Sequence, residues 1–324
     1  MICIFCLRDV PHEQLTDEHI FPESIGGKLV LTKEVCSSCA NHLGHTIDAG
    51  LCNHTFIKFA RMIHKVSGKT GYIPNPLNRG TLTDNQDIKV ELTPDPGTGV
   101  LRHLVITQKI DQDTLIVDEK NKDNIPEIID IIRKRKGLQP LSNEELQKLL
   151  AQLNVTEGKE IAHKLTVDLE SFRRPILKIA YELAYHWLGT EYLQDPVAKI
   201  LRDCVMDKKF NNEWSKYKIR GEINLVQTCN AGFDFWNTKH DQNSHVAVLL
   251  QSKSYVCCKI RIFNIFFGNI CISENLAAYN NFRPRFLIIN PETKTERESS
   301  LSKEVQRLSD ALKSQDLPNP DEPI

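Results

Sequence analysis

The apolar positions along the chain change between helical and strand spacing several times. Residues 51–66, "LCNHTFIKFARMIHKV", have apolar side chains at helical spacing. From about residue 81 to residue 118, β-branched residues alternate or cluster and predict strands, with "TPDPGTG" as a turn. The segments 124–137 and 142–153 then predict two helices, the second of which begins with a capping-box pattern.

The second half of the chain alternates in the same way. Residues 171–208 predict helices, and the apolar face of "YELAYHWLG" is predicted to be core. Strands are predicted from about residue 221 to residue 289, before a polar helix and a disordered tail. These changes divide the chain into an amino-terminal module, an α+β region that serves regulation, recognition or dimerisation, and a polar end: 1–75, 76–295 and 296–324.

Composition and charge exclude several classes of protein. The 324 residues are 40% hydrophobic and 26% charged, which is typical of a soluble globular chain. The formal net charge of -1 gives no overall positive field for binding nucleic acid, so a basic surface must be local. No run has the roughly 18 apolar residues of a membrane span, and the first residues lack the pattern of a signal peptide. We therefore expect a cytoplasmic protein without a membrane partner.

Ten cysteines are many for such a chain, and four of them form two Cys-x-x-Cys pairs. Paired cysteines in a reducing compartment favour a metal site over disulfides. The pairs can converge on one zinc ion, and a closed set of four thiolates makes that zinc structural. The other six cysteines are interpreted as free thiols, with a second metal site as the alternative. The predicted zinc ligands are Cys3, Cys6, Cys36 and Cys39.

The insert between the two pairs contains the polar stretch "LTDEHIFPESIGG". In a strand, the adjacent Glu18 and His19 point to opposite faces, so one can hold an ion while the other meets a water or a substrate. After the second pair, Asn41, His45 and Asp48 are spaced i, i+4 and i+7 on one face of a predicted helix. A strand–loop–helix unit clamped by zinc would bring Glu18, His19 and Asn41 together.

Together these pieces resemble the HNH nucleases, the ββα-metal finger, in their zinc-bearing form. The resemblance covers residues 3–48 and comprises Cys-x-x-Cys, Glu-His-Ile-x-Pro, Gly-Gly, a second Cys-x-x-Cys, Leu-Gly and Ile-Asp. It implies an α+β protein in which a small zinc-stapled HNH module precedes a mixed α/β carboxy-terminal region. It also implies hydrolysis of a phosphodiester bond with one divalent cation.

The resemblance assigns a role to each polar residue of the insert. His19 would be the general base that takes a proton from the attacking water. Glu18 would be a ligand of the catalytic cation, and Asn41 would be another. Oxygen ligands suit a hard cation, so the expected ion is Mg²⁺ or Mn²⁺.

Two positions depart from the pattern of these relatives. Relatives place Asn or His directly after the last cysteine, whereas this chain has Ala40 there and Asn41 one residue later. Many also have a central Asn before the second cysteine pair, and "KLVLTKEV" contains none. Another group must then orient His19. His45 is the first alternative to Asn41 as a ligand, and Asp48 is the second.

A basic stripe on the predicted helix 51–66 is a candidate nucleic-acid surface. We interpret Lys58, Arg61 and Lys65 as contacts to the DNA backbone, with a solvated helix face as the alternative. A second basic cluster, "RKRK" at 133–136, is either another such contact or a favourable placement at a helix carboxyl end. The residues of the stripe, spaced i, i+4, i+7 and i+11, are His54, Lys58, Arg61 and Lys65.

The sequence as a whole predicts a metal-dependent DNA endonuclease of the HNH type. Its carboxy-terminal region would recognise modified DNA, an activating ligand or a partner protein, or would form a homodimer whose two sites cut both strands. The resemblance implies restriction or phage defence as the biological role. The alternatives are an inactive zinc-stabilised module that binds nucleic acid or protein, and a nuclease directed at RNA.

Overall fold

The computed structural model describes residues 1–94, 101–106, 108–109, 115–154, 160–225, 241 and 243–314. It divides the chain into two compact units. The first unit contains Met1–Pro74 together with Val167–Ile324, and the second contains Asn75–Thr166. The chain thus leaves the first unit near residue 75 and returns to it at residue 167. The division predicted from the sequence, 1–75, 76–295 and 296–324, is linear and does not include this return.

The amino-terminal part of the first unit is a two-stranded sheet followed by helical segments. Its elements are β1 (Leu15–His19), β2 (Val30–Cys36), α1 (Ser37–His42), a π-helical stretch (Leu43–Asp48), α2 (Ala49–Cys52) and α3 (Thr55–Ile63). Strands β1 and β2 are antiparallel, with Leu15 opposite Cys36 and His19 opposite Val30, and the register shifts between these two pairs. This arrangement is the strand–loop–helix unit that the sequence predicts.

The connection between β1 and β2 requires both of its glycines. Gly26 has a φ of 101°, a left-handed conformation that glycine adopts without strain. A Cβ atom on Gly27 would lie 2.1 Å from the carbonyl oxygen of Phe21, so the backbone can approach itself this closely only with glycine there. The Gly-Gly pair therefore sets the path by which the chain returns from β1 to β2.

The second unit combines short strands with two helices. Its elements are β3 (Gly80–Leu82), β4 (Lys89–Pro94), β5 (Leu101–Val105), β6 (Gln108–Lys109), β7 (Leu115–Ile116), α4 (Ile125–Arg135), α5 (Asn143–Leu150) and β8 (Ile161–Ala162). Among the described residues, an antiparallel sheet has the order β5–β4–β3–β8, and β6 pairs with β7. The predicted capping box of α5 is confirmed: Ser142 Oγ accepts from the backbone N–H of Glu145, whose side chain accepts from the N–H of Ser142.

The remainder of the first unit is a pair of helices, an antiparallel sheet and a final helix. Its elements are α6 (Arg173–Leu188), α7 (Pro196–Met206), β9 (Gly221–Leu225), β10 (His245–Gln251), β11 (Val256–Ile262), β12 (Phe266–Ser273), β13 (Arg285–Asn290), β14 (Thr295–Ser300) and α8 (Leu301–Lys313). Within the described ranges the sheet order is β14–β13–β10–β11–β12–β9, with every neighbouring pair antiparallel. The predicted polar helix is α8, and most of the predicted tail, residues 315–324, lies outside the described residues.

One hydrophobic core joins the amino-terminal module, α6, α7 and the large sheet. Helix α6 is central to it, because every residue from Pro175 to Tyr185 is buried. The predicted core role of this helix is confirmed, and the burial of apolar surface from three parts of the chain explains why the chain returns to the first unit after the second.

The α+β fold class predicted from the sequence is confirmed as well. None of the described helices has the length and apolar content that a membrane span needs.

Candidate active site and metal centre

The paired cysteines converge on one point of the amino-terminal module. Their four sulfur atoms all lie within 4.8 Å of one another, and those of Cys6 and Cys36 are 3.8 Å apart. Four thiolates at about 2.3 Å from a tetrahedral zinc ion have sulfurs roughly 3.8 Å apart, so the cluster has the dimensions of a zinc site. Its members are Cys3, Cys6, Cys36 and Cys39.

Hydrogen bonds around Cys3 favour a thiolate on this sulfur, whereas the same contact between Cys3 and Cys39 raises the pKa of Cys39. The Cys39 thiol contributes most to lowering the pKa of Cys3, burial opposes it, and the backbone N–H of Cys36, 3.3 Å from the sulfur, adds to the lowering. Of the other six cysteines, five are free thiols, and Cys229 lies outside the described residues. Across the described ranges, no further set of three or more Cys, His, Asp or Glu ligand atoms converges as these four do.

A cavity of about 370 Å³ opens beside the end of β1. Glu18 and His19 both line it, although a regular strand would point them to opposite faces. Glu18 is buried and His19 is half-buried. Asp48 lines the same cavity from the π-helical stretch. The other lining residues are Asp17, Pro22, Glu23, Ser24, Gly44, Ala49 and Cys52.

The helical ligands proposed from the sequence do not all reach this cavity. Asn41 and His45 are exposed, and neither belongs to the described residues that line it. Asp48 lines the cavity together with Gly44, which lies one helical turn before it. The reason is local: α1 gives way to a π-helical stretch at Leu43, and its wider turns carry the chain off the regular helical face that begins at Asn41.

A lysine from α6 reaches the same carboxylates from the protein interior. The side chain of Lys178 is completely buried, and its ammonium nitrogen lies 2.7 Å from Glu18 Oε1 and 3.1 Å from Asp48 Oδ2. It also donates to the backbone carbonyl of His19 at 2.7 Å and lies 3.4 Å from Glu182 Oε2 on its own helix. Sequence reasoning missed this residue. The available signal was a lysine and a glutamate spaced i, i+4 within the mostly apolar stretch "PILKIAYELAY".

Burial and the neighbouring charges shift the pKa values of Lys178 and Glu182 in opposite directions. Burial disfavours the charge on Lys178, but Asp48, Glu182 and Glu18 outweigh it and raise the pKa of the ammonium group. Burial raises the pKa of Glu182 well above its ordinary value, although Lys178 lowers it. The cluster thus keeps its cation, while its most buried carboxyl group favours the protonated form.

One oxygen of Asp48 has no hydrogen-bond partner in the part of the chain that the structure describes. Burial raises the pKa of Asp48 to about 6, with Lys178 opposing that rise and Glu18 adding to it. Its Oδ2 contacts Lys178, whereas Oδ1 is buried and has no hydrogen-bond partner among the described residues. A buried carboxylate oxygen without a partner is costly unless something binds it. Asp48 and Glu18 therefore offer oxygen atoms of the kind that a hard divalent cation binds.

The predicted basic stripe is not a continuous exposed surface. Arg61 is buried, and its guanidinium donates to the carbonyl oxygens of Val66 at 3.3 Å and Tyr72 at 3.4 Å. His54 is also buried and caps α3 by accepting from the N–H of Phe56. In this conformation two donors of the guanidinium bind backbone carbonyls, so the interpretation of Arg61 as a DNA contact stays a prediction.

The two lysines of the stripe remain accessible to a ligand: Lys65 is exposed and Lys58 is half-buried. The second basic cluster occupies the last turn of α4, where Arg133 donates to the carbonyl oxygen of Gln139 at 2.7 Å. That position suits the helix dipole, which was the alternative reading of "RKRK".

Comparison with known proteins identifies the module that carries this cavity. No curated protein and no solved structure matches the chain. Residues 3–56 match the family model described as HNH endonuclease, so a part of the 324-residue chain that includes the four-cysteine cluster, β1, β2 and Asp48 is similar to these nucleases. The resemblance predicted from the sequence is confirmed: the amino-terminal part of the chain is an HNH module with a four-cysteine cluster, and this indicates a nuclease.

Proposed function

We propose that the protein is a metal-dependent endonuclease that hydrolyses phosphodiester bonds in DNA. The observation that carries this proposal is the meeting of Glu18, His19 and Asp48 at one cavity within the segment that matches the HNH endonucleases. A histidine beside two carboxylates combines a base for water with ligands for a cation.

His19 is the general base in this proposal. Its imidazole takes a proton from the attacking water at the cavity, a role that histidine commonly fills near neutral pH. The backbone carbonyl of His19 accepts a hydrogen bond from Lys178. That contact fixes the end of β1, so it takes over part of the orienting role that a central Asn has in many relatives.

Glu18 and Asp48 would hold a catalytic cation, Mg²⁺ or Mn²⁺. Within the described ranges, the buried Oδ1 of Asp48 has no hydrogen-bond partner, which supports its assignment in place of Asn41, whose side chain is exposed and does not line the cavity. When bound, the cation stabilises negative charge on the scissile phosphate and on the leaving oxygen. Glu18 and Asp48 bring their carboxylates to it from a strand and a helix.

The four-cysteine cluster would hold a structural zinc ion. It uses all four ligand positions, so it leaves no coordination site for substrate or water. The cluster joins the segment before β1 to the end of β2 and the start of α1. We propose that it fixes these pieces so that Glu18 and His19 face the helix that carries Asp48.

Cleavage of supercoiled plasmid with Mg²⁺ or Mn²⁺ tests this function. We expect His19→Ala to lower the cleavage rate by roughly 10²–10⁴-fold without loss of zinc. The matched control is His45→Ala, which removes an exposed histidine of the same module and should leave the rate unchanged. Equal cleavage by wild type and His19→Ala would refute the assigned base.

The products and substrates of the same assay separate the remaining alternatives. Linear products formed without nicked intermediates indicate that two copies act together, whereas nicked circles indicate single sites. Faster cleavage of structured RNA than of plasmid would make RNA the substrate. A folded, zinc-loaded protein that binds DNA but does not cut it with either cation would be the inactive binding module. A role in restriction or phage defence rests on the resemblance to the HNH family.

A further inference from the structure

Lys178 has an environment that is unusual for a lysine. Its side chain is 0% exposed, and all the other residues from Pro175 to Tyr185 are buried around it on α6. Three of the four oxygens around its ammonium group belong to the HNH module: Glu18 Oε1, the carbonyl oxygen of His19 and Asp48 Oδ2. The fourth and most distant belongs to Glu182. Lys178 therefore points its charge at the cavity residues without contacting solvent.

Stability alone does not account for this lysine. Transferring an ammonium group and its carboxylate partners from water to a protein interior is costly, and well-packed apolar residues often replace buried ion pairs without loss of stability. The surrounding helix is apolar, so a methionine at position 178 could pack in the same core. A charge at this position is better explained by what it holds in place.

We propose that Lys178 is a positioning residue for the catalytic cation, an inference that rests on the proposed nuclease function. It binds one oxygen of Glu18 and one oxygen of Asp48, which fixes the rotation of both carboxylates. Asp48 Oδ1 has no partner among the residues that the structure describes and is the oxygen available to a cation. Lys178 also holds the carbonyl of His19, so one ammonium group sets the geometry of both ligands and the base.

Helix α6 is itself fixed against the HNH module, which makes such positioning effective. The hydroxyl of Tyr181 donates to the carbonyl oxygen of Ile4, beside the cysteine cluster. The hydroxyl of Tyr185 donates to Glu34 Oε2 on β2 at 2.9 Å. These contacts lie one and two turns beyond Lys178 on the same helix, so the lysine is held in register with β1 and Asp48.

The test is the affinity of the full-length, zinc-loaded protein for Mn²⁺, measured by electron paramagnetic resonance without nucleic acid. The variant is Lys178→Met with Glu182→Met, which removes the ammonium group together with the buried carboxyl group that lies one turn further along the same helix. Removal of the positive charge alone would favour Mn²⁺, so weaker binding reports the loss of positioning. Because loss of groups that orient metal ligands weakens metal binding, we expect the Mn²⁺ dissociation constant to rise by roughly 10–100-fold. The matched control is Lys199→Met with Asp203→Met, an exposed i, i+4 pair on α7, which should leave that constant unchanged.

A variant that keeps zinc and binds Mn²⁺ as tightly as the wild type would overturn the proposal. If the double variant does not fold, the wild-type protein with ¹³C-labelled lysine gives a second measurement. Mn²⁺ should broaden the signals of Lys178 before those of Lys199, and broadening that spares Lys178 would overturn the proposal as well. The nuclease function is tested separately by plasmid cleavage: a protein that binds Mn²⁺ in this Lys178-dependent way but never cuts refutes the function and leaves the positioning role standing.

Discussion

The ammonium nitrogen of Lys178 lies 3.1 Å from Asp48 Oδ2, although 130 residues separate the two in the chain. The segment similar to HNH endonucleases ends at residue 56, so the cation that contacts two of its cavity-lining carboxylates comes from outside the matching segment. Family resemblance therefore describes the strand, the turn and the cysteine cluster, whereas the electrostatics of the site also depend on α6.

Asp48 and Asn41 are competing assignments for the second oxygen ligand. We expect Asp48→Asn to lower plasmid cleavage by more than roughly 100-fold. The variant keeps the shape of the side chain but removes its charge. Loss of a metal ligand should cost more than loss of a group that orients a ligand, which lowers activity by roughly 10–100-fold. Asn41→Ala should leave cleavage unchanged, since this side chain is exposed and does not line the cavity. The reverse pattern, with activity lost in Asn41→Ala and kept in Asp48→Asn, would restore Asn41 as the ligand.

The cysteine cluster should determine whether the module folds. Cys39→Ser removes one of four converging sulfurs, and we expect loss of bound zinc together with a lower melting temperature, because binding of a structural metal contributes directly to folding. Zinc content by mass spectrometry and thermal unfolding are the measurements. Cys271→Ala, at a free buried cysteine in β12, is the control and should keep one zinc per chain. Full zinc occupancy in Cys39→Ser would mean that the cluster does not hold the ion.

The basic residues of α3 should differ in their effects on stability and binding. Arg61→Ala removes the side-chain donor of the Val66 and Tyr72 carbonyl oxygens, and of these two the Tyr72 oxygen still accepts from the backbone N–H of Gly68. We therefore expect it to destabilise the protein by about 1–3 kcal/mol. Lys58→Ala with Lys65→Ala should instead weaken DNA binding and reduce the slope of log affinity against log salt by roughly 0.9 per lysine. Affinities at several salt concentrations in a His19→Ala background, where DNA is not cut, are the measurement. A reduced salt slope in folded Arg61→Ala would show that its guanidinium reaches DNA.

The parts of the site that the sequence predicts correctly are local. Two cysteine pairs, a Glu-His pair ending a strand and a Gly-Gly turn each depend on neighbouring residues, and the structure has a cysteine cluster, β1 and the close approach at Gly27 where they were expected. The apolar helix at 171–188 was also predictable, because its periodicity does not depend on its partners.

The features that sequence reasoning missed are set by tertiary packing or by an irregular helix. Asn41 and Asp48 share a face only if the helix is regular, and the π-helical stretch from Leu43 breaks that periodicity. Arg61 fits a basic stripe by its spacing, but the segment after α3 folds back and its carbonyls bind the guanidinium. Lys178 could be recognised as unusual in an apolar helix, but its partners could not be named without the fold.

His245 links the large sheet to the HNH module and should make stability depend on pH. It is fully buried on β10, and its Nδ1 accepts from the backbone N–H of Phe263 at 3.2 Å, so the proton lies on Nε2, which donates to the carbonyl oxygen of Ile25 at 2.8 Å. Burial lowers the pKa of His245 to about 3, while the hydrogen bond to Ile25 opposes this. A second proton on the ring would also occupy the nitrogen that accepts from Phe263.

The direction of the pH effect follows from the two pKa values of this imidazole. The unfolded chain binds the proton below a pH of about 6.5, but the folded protein does so only near pH 3, so the stabilisation present above pH 6.5 is lost as the pH falls between these values. As the pH falls, we expect the free energy of unfolding of the wild type to decrease by up to about 1.4 kcal/mol per pH unit more than that of His245→Gln. This variant keeps an amide donor for Ile25 but does not titrate. Urea unfolding at pH 7.5 and pH 5, followed by the fluorescence of Trp187 and Trp214 in the same unit, measures the difference. If the free energy of unfolding decreases equally in the two proteins, His245 is not the group that titrates.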